Sequence, residues 1–355
     1  MKKLIDLGED RITRELILPK FPSVSDSRYG ADDCALLRRG SKSSTLVHTT
    51  DPGPTPVVFE LFEPDYFHLG WMTVTVNASD IASMGAKPEQ MLLSVEAPEQ
   101  MSVFDFDRML EGVAAGAEAM GVRVAGGNLR DAERVRLTGT MIGAVPSGEP
   151  LRRGGGKIGN AIWAVGQTAH FWLSVLLCLR RGFKENSNSQ NVTSALLKPM
   201  AKTAFGMALQ RSGHTATATD ASDGLMSAIG SIASTAGCAA NVDILRLEAN
   251  SWAIEMASEL GIDYRTCALA WGDWQILTAI EPELGNEIRT LASNYGLHAM
   301  HCGDLVEGKA GEVHYTCGGA PVVPPDLRSK KFSQRHREWS YSDWADLIGS
   351  YKFAN

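Results

Sequence analysis

Carboxylates recur along this chain in short, similar settings. Asp32 and Asp33 follow Gly30-Ala31, Asp51 closes the run Thr45-Leu-Val-His-Thr-Thr50, and Asp80 lies in Val76-Asn-Ala-Ser-Asp80. Asp220 and Asp223 bracket Ala221 and Ser222 and precede Gly224. Small neighbours such as Ala78, Ser79, Ala82, Ser83, Gly85 and Ala86 let a backbone or a ligand come close. An acid buried in such a place needs a positive partner. Several hard carboxylates, with no matching set of His or Cys, fit Mg²⁺ holding phosphates better than zinc. Singly, each has a plainer use: Asp80, Asp220 or Ser222 as a helix cap, and Asp32-Asp33 as a turn. Their recurrence carries the metal reading.

The elements that must position these acids follow from pattern. Residues 4–18 carry apolar positions at roughly helical spacing up to Pro19. The acid pair at 32–33, an apolar run to Leu37, a polar turn and the run 45–50 give a hairpin signal. That hairpin is expected to set Asp32-Asp33 and Asp51 at opposite rims of one sheet. Val74 and Val76 read as the end of a strand, with Asn77 and Asp80 opening a helix of small residues. Residues 91–95, 122–127 (ending in Gly126-Gly127) and 136–145 read as strands, and 104–120 as a surface helix. Pro146-Ser-Gly-Glu-Pro150 is the clearest linker. Beyond it come Leu151-Arg-Arg-Gly-Gly-Gly-Lys157, able to wrap an anion or simply to turn, and a strand at 161–165. A helix at 195–209 broken at Pro199, a strand at 216–220 and a helix after Gly224 follow. Residues 269–280 read as a turn running into a strand. Strand, acid, small residues, acid and apolar helix thus occur in both halves, which implies two related α/β units: 1–147 and 148–322. A polar-aromatic tail occupies 323–355, with a basic run at 328–337 and a terminal helix expected to lie on the surface.

Composition bounds the function. The 355 residues are 44% hydrophobic and 21% charged, enough apolar content for real cores. A net charge of -7 argues against broad nucleic-acid binding. Six scattered cysteines, with no C-x-x-C pair, read as reduced thiols in a soluble cytoplasmic protein. The longest stretch without formal charge, 161–179, is interrupted by polar residues and reads as strand, turn and buried helix, not as a membrane span.

Taken together, Gly30-Ala-Asp-Asp-Cys-Ala-Leu-Leu37, Thr49-Thr-Asp51, residues 76–88, Gly126-Gly127, Thr140-Met-Ile-Gly143, Leu151-Arg-Arg153 and Asp220-Ala-Ser-Asp-Gly-Leu225 occur in a characteristic order. Over residues 1–320 the chain resembles the thiamine-monophosphate kinase branch of the superfamily of aminoimidazole ribonucleotide synthetase and selenophosphate synthetase. The resemblance implies a two-domain PurM-like α/β fold, a homodimer paired through the N-terminal sheets, and ATP with several Mg²⁺ ions between the domains. It implies metal ligation by Asp32, Asp33, Asp51, Asp80, Asp220 and Asp223, with Asp80 and Asp220 central to catalysis. Thr49, Thr50, Gly126, Gly127, Asn128, Arg152 and Ser222 are implied as contacts to nucleotide or metal. Bridging divalent ions would remove the repulsion between a polyphosphate and these acids, and positioning plus electrostatics would supply most of the catalysis.

The departures fall mainly on the acceptor side. Asn128 stands where that branch has an aspartate, and Gly272, in Trp271-Gly-Asp-Trp-Gln275, where it has a glutamate. The histidine expected soon after Thr-Thr-Asp falls near Val58, and the glycine- and serine-bearing loop after the first C-terminal strand reads Gly166-Gln-Thr-Ala-His-Phe-Trp172. The leading expectation is an ATP- and Mg²⁺-dependent phosphotransferase whose small-molecule acceptor is other than, or besides, thiamine monophosphate. The alternatives are a ligase that activates an amide or carboxylate by phosphorylation, and a homologue that binds nucleotide without turning it over.

Overall fold

The computed structural model describes residues 3–20, 32–38, 45–145, 147–182, 189–333 and 338–353. Gly30, Ala31, the turn after Arg38, Pro146 and residues 334–337 of the basic run lie outside them. Described strands form two sheets. The first contains β1 (Ala35–Arg38), β2 (Thr45–Pro52), β3 (Lys87–Ala97), β4 (Arg123–Asp131) and β5 (Arg136–Val145), in the order β1-β2-β5-β3-β4. Only its β3–β4 pair is parallel. Helices α1 (Phe67–Ser83) and α2 (Val103–Met120) cover one face. They approach so closely that a Cβ on Gly70 would lie 2.1 Å from the Met109 carbonyl oxygen, and one on Gly112 1.9 Å from that of Phe67.

The second sheet is built from β6 (Ala161–Gly166), β7 (Ala218–Asp220), β8 (Ala239–Asp243), β9 (Ile276–Ile280), β10 (His298–Val306), β11 (Val313–Cys317) and β12 (Ala320–Val322). Its order is β12-β11-β8-β10-β6-β9-β7. Helices α3 (His170–Arg181), α4 (Thr203–Ser212), α5 (Leu225–Thr235), α6 (Ser251–Leu260), α7 (Tyr264–Leu269) and α8 (Gly285–Ser293) pack around it. Both halves mix helix and sheet, as the α/β expectation requires.

Four local expectations are corrected. The strand expected to end before Asn77 is helix: α1 runs unbroken from Phe67 to Ser83, and Asp80 sits in its last turn, not at its start. The β-branched run misleads because every residue from Leu69 to Ser83 is buried, so no polar stripe marks the helical period. The threonines are accommodated by donating back along the helix, Thr73 to the Leu69 carbonyl at 2.8 Å and Thr75 to that of Trp71 at 3.2 Å. Second, Asp32-Asp33 and Asp51 share one rim. In the antiparallel β1–β2 pair Ala35 faces His48, so the start of β1 lies beside the end of β2. Third, β4 does not stop at Gly127 but continues to Asp131.

The fourth correction concerns the tail. Helix α9 (Tyr341–Ser350) is not merely laid on the surface: Trp344, Ala345 and Ile348 are buried in the core of the second half. Its aromatic side chains join a cluster running from Trp172 through Trp271 and Trp344 to Trp339, with ring centroids 4.6–4.9 Å apart. The break expected at Pro199 is present, between a turn of π-helix (Thr193–Leu197) and α4. No helix among the described residues is long and apolar enough to cross a membrane.

Candidate functional site

Helix α1 is the organiser. It packs on β2 and β5 on one side and on α4 and β7 on the other, so its last turn lies where the two sheets meet. Close approach there is enforced at Gly206 of α4, where a Cβ would lie 2.1 Å from the Ala82 carbonyl oxygen. Three side chains on this turn reach three separate parts of the chain. Asp80 Oδ2 accepts from Thr49 Oγ1 of β2 at 2.5 Å. Ser79 Oγ donates to Asp220 Oδ2, at the end of β7, at 2.6 Å, and Ser83 Oγ to Asp33 Oδ2, ahead of β1, also at 2.6 Å. Ser79 and Ser83 are i and i+4, hence neighbours along one helix face. Asn77, one turn earlier, accepts from the Asp51 backbone N–H and donates to its carbonyl, both at 3.1 Å, fixing the end of β2.

The electrostatics of this gathering are unfavourable for the protein alone. Burial first, then the charges of Asp220, Asp33 and Asp51, push the Asp80 carboxyl well above the usual carboxylate range. Asp80 also stands at the negative end of the α1 dipole, which disfavours an anion further. Burial and the Asp33 charge raise Asp220 to about 7, although the Ser79 and Ser222 hydroxyls work the other way. Burial raises Asp51 too, while a hydrogen bond with the Asp80 carboxyl and the charge of Lys331 oppose it. Such a set holds protons at neutral pH unless a cation replaces them.

Arginines meet the remaining acids. Arg152 Nε donates to Asp32 Oδ2 at 2.6 Å, the Arg153 backbone N–H donates to Asp32 Oδ1 at 2.8 Å, and the Arg153 guanidinium pairs with Asp33. Both aspartates are almost fully buried by these contacts. Thr219 Oγ1 adds a bond to Asp33 Oδ1 at 3.2 Å. Ser222 Oγ donates to Asp220 Oδ1 at 3.0 Å, and the Asp223 carbonyl accepts from the Ser329 N–H of the tail at 3.3 Å.

The structure thus brings together Asp32, Asp33, Thr49, Asp51, Asp80, Arg152, Asp220, Ser222 and Asp223. Thr50 points elsewhere: successive strand residues face opposite sides, and its hydroxyl bonds the Gly139 carbonyl and Thr140 Oγ1. Gly126, Gly127 and Asn128 are also apart. They lie exposed on β4, and the register Asp51–Gly139–Leu93–Gly127 puts three strand steps, roughly 14 Å, between Gly127 and Asp51. Among the described residues no three His, Cys, Asp or Glu side chains are mutually placed to grip an ion.

Sequence reasoning missed Ser79, Ser83, Asn77, Thr219, Arg153 and Lys331. Ser79 and Ser83 follow from i, i+4 spacing, and Asn77 from i, i+3 spacing to Asp80, once 67–83 is read as one helix. Arg153 carried only the signal of its neighbour Arg152. Lys331 lay inside a basic run that looked like surface.

The side of the site leading to the 270–275 loop is built differently. Gly272 has φ +113°, and a Cβ there would lie 2.2 Å from Phe171 Cγ, so the aromatic ring occupies the space a side chain would need. Trp274 adopts φ +50°, a left-handed conformation unusual for a bulky residue, and packs on Met72 and Val76 of α1. Asp273 accepts from the Ala169 N–H at 2.6 Å and the Phe171 N–H at 2.8 Å, at the start of α3. Burial nevertheless raises Asp273 to about 7, against those bonds and the charge of Lys202. Burial lowers Lys202 to about 8, opposed by Asp273, and its Nζ donates to Gln167 Oε1 at 3.2 Å and the Met200 carbonyl at 3.0 Å.

Comparison with known proteins places this architecture. Residues 31–145 match the model of the AIR synthase related protein N-terminal domain, and residues 157–316 that of its C-terminal domain. The thiamine-monophosphate kinase of Salmonella typhimurium is 30% identical over 271 residues, spanning 71% of this chain and 80% of that protein. That of Methanopyrus kandleri is 27% identical over 260 residues, 73% of this chain and 80% of the other. The solved structure of AaThiL complexed with AMPPCP and TMP superposes with a TM-score of 0.76 over 92% of this chain and 99% of that one. At 22% identity this likeness speaks for the fold alone.

Proposed function

The chain belongs to the AIR synthase-related family, in its thiamine-monophosphate kinase branch of ATP-dependent kinases, and on that premise we propose that it is an ATP- and Mg²⁺-dependent phosphotransferase whose small-molecule acceptor is other than, or besides, thiamine monophosphate. The observation that carries this reading is the convergence of Asp33, Asp80 and Asp220 on the last turn of α1. The donors suit Mg²⁺ in kind: carboxylates backed by hydroxyls, at least two of them with raised affinity for protons that a divalent cation would displace. Asp51, Asp80, Asp220 and Asp223 would hold the ions, with Asp32 and Asp33 joining as Arg152 and Arg153 turn from them to phosphate. Bound Mg²⁺ would neutralise charge on the triphosphate as the phosphoryl group transfers. Thr49, Ser79, Ser83 and Ser222 orient the carboxylates by hydrogen bonds from the hydroxyl side, leaving their other lone pairs for metal.

What supports an acceptor other than, or besides, thiamine monophosphate is the 270–275 loop, which offers Gly272 backed by the Phe171 ring in place of a glutamate. A second copy of the chain is the proposed partner. The sheet face away from α1 and α2 exposes Leu92 at 49%, and edge strand β4 exposes Leu129 at 65%. An unpaired edge and open apolar face of this kind call for cover, and pairing there would bury Gly126, Gly127 and Asn128 against the partner. Turnover of ATP over a panel of phosphate-bearing and hydroxyl-bearing acceptors, followed by ³¹P NMR, tests the reading. Mg²⁺-dependent appearance of a phosphorylated acceptor is expected. Free phosphate together with a new C–N bond would replace the kinase with a ligase, and ATP binding with no turnover on any acceptor would leave a nucleotide-binding homologue.

A further inference from the structure

After β12 the chain leaves the second sheet, and residues 323–333 run back to the acid site. Leu327 anchors this strap, being fully buried in the core of the second half, and α9 anchors it downstream. Between these anchors, the Ser329 N–H donates to the Asp223 carbonyl at 3.3 Å, which fixes the strap to the loop carrying Asp220 and Asp223. Two of its cations are occupied locally: Arg328 Nε and Lys330 Nζ lie 2.7 and 2.6 Å from the carboxylate of Asp326. Lys331 is used differently. Its one ion pair among the described residues is with Glu9, at 3.7 Å, beyond hydrogen-bond length, and 52% of its side chain is exposed. The next residue, Phe332, adopts φ +58° while 44% exposed. A left-handed aromatic at an exposed position gains little from packing, and strain of this sort concentrates where a chain is held for a purpose.

From these contacts we propose that Lys331 of the strap is a nucleotide-binding residue, its ammonium contacting the terminal phosphates of ATP held at the acid site. The inference rests on the proposed reading of that site as the seat of a metal-bound triphosphate. Arg152 and Arg153 are already engaged by Asp32 and Asp33, whereas an ammonium held only at 3.7 Å has its donors available to a phosphate oxygen. Its charge reaches this site: burial lowers the Lys331 pKa, and the charges of Asp223, Glu9, Asp51 and Asp80 together outweigh it. Of these, Asp223, Asp51 and Asp80 are among the acids proposed to hold the ions, so a cation near them would meet the phosphate end of the nucleotide. Residues 323–333 lie beyond the span of either family-domain match.

Equilibrium binding of Mg²⁺·ATP and Mg²⁺·ADP to the full chain, by titration calorimetry on wild type, K331M, K331R and E9Q, tests the assignment. K331M is expected to lose about tenfold in affinity for ATP and less than about threefold for ADP. K331R is expected to stay within about threefold of wild type for both, because it keeps the charge. E9Q, which removes only the local partner, is expected to bind ATP as wild type does or more tightly. ATP binding by K331M equal to wild type overturns the assignment. So does an E9Q variant as impaired as K331M, which would make the lysine a tie to the N-terminal segment. Failure of the wild-type chain to bind either nucleotide removes the nucleotide reading of the acid site, and this inference with it.

Discussion

The acid site and the 270–275 loop are neighbours built on opposite principles. Around Asp80 the chain accumulates like charges, surrounds them with hydroxyls and leaves them short of cations, so the folded protein alone is worse off for having them. Around Gly272 it does the reverse. A ring fills the space beside the glycine, Asp273 is satisfied by backbone N–H groups, and aromatic side chains from α3, the loop and α9 pack together. One region stores unfavourable charge that a bound ion can relieve. The other is closed by its own packing. On the proposed reading, the first region would handle phosphate and the second would shape what meets an acceptor.

The contrast breaks most directly at Asp80. An Asp80→Asn variant is expected to lose about a hundredfold or more in affinity for Mg²⁺·ATP, yet to unfold at a higher temperature than wild type in EDTA, because a repelled carboxylate has gone. Calorimetric binding and thermal unfolding measure the two arms, and a lower melting temperature in EDTA would remove the stored-charge half of the comparison. At the packed region the expectation is simple loss. Gly272→Ala meets Phe171 at 2.2 Å and a left-handed φ, so chemical denaturation should show a cost of about 2–4 kcal/mol. Phe171→Ala in the same chain should recover part of it, giving a coupling above about 1 kcal/mol in a double-mutant cycle.

A smaller effect reads the acid site by pH. Asp220 binds its proton more tightly folded, near 7, than unfolded, near about 3.9. Its contribution to stability is therefore whole below about pH 3.9 and is lost as pH rises through about 7. In EDTA, Asp220→Asn should become progressively more stable than wild type across that window, by on the order of 2 kcal/mol. Referring each pH to the variant cancels the like trend from Asp273, which burial raises to about 7, and the opposite one from His170, which burial lowers to about 4. A gap that stays flat from pH 4 to 7.5 would contradict the account. Smallest is Arg152→Ala, for which about a fivefold loss of ATP affinity is expected, since Arg152 gives up Asp32 to reach phosphate.

Much of this contrast was legible in the residues themselves. The acids were recognisable because their small and hydroxylic neighbours repeat, and the two α/β halves because strands and helices alternate around them. What failed was local geometry wherever burial erased period. Helix α1 is enclosed on all sides, so Val74-Thr-Val76 looked like strand and Asp80 like a cap. The hairpin error was one of direction: antiparallel pairing carries Asp33 and Asp51 to the same rim, which the residue pattern implied once followed through. The contacts of Ser79 and Ser83 depended on that misread helix. Lys331 depended on tertiary docking, as Leu327 and Trp344 on either side of it are buried in the core of the second half, which no local pattern encodes.

The central claim is that the last turn of α1 assembles a cation site from distant acids. A crystal of the full chain grown with AMPPCP and Mn²⁺, with anomalous diffraction collected at the manganese edge, tests it most directly. The account predicts anomalous peaks within coordination distance of both Asp80 and Asp220, next to the phosphates of the analogue. Nucleotide bound with no manganese near either carboxylate, or manganese bound away from α1, would contradict it.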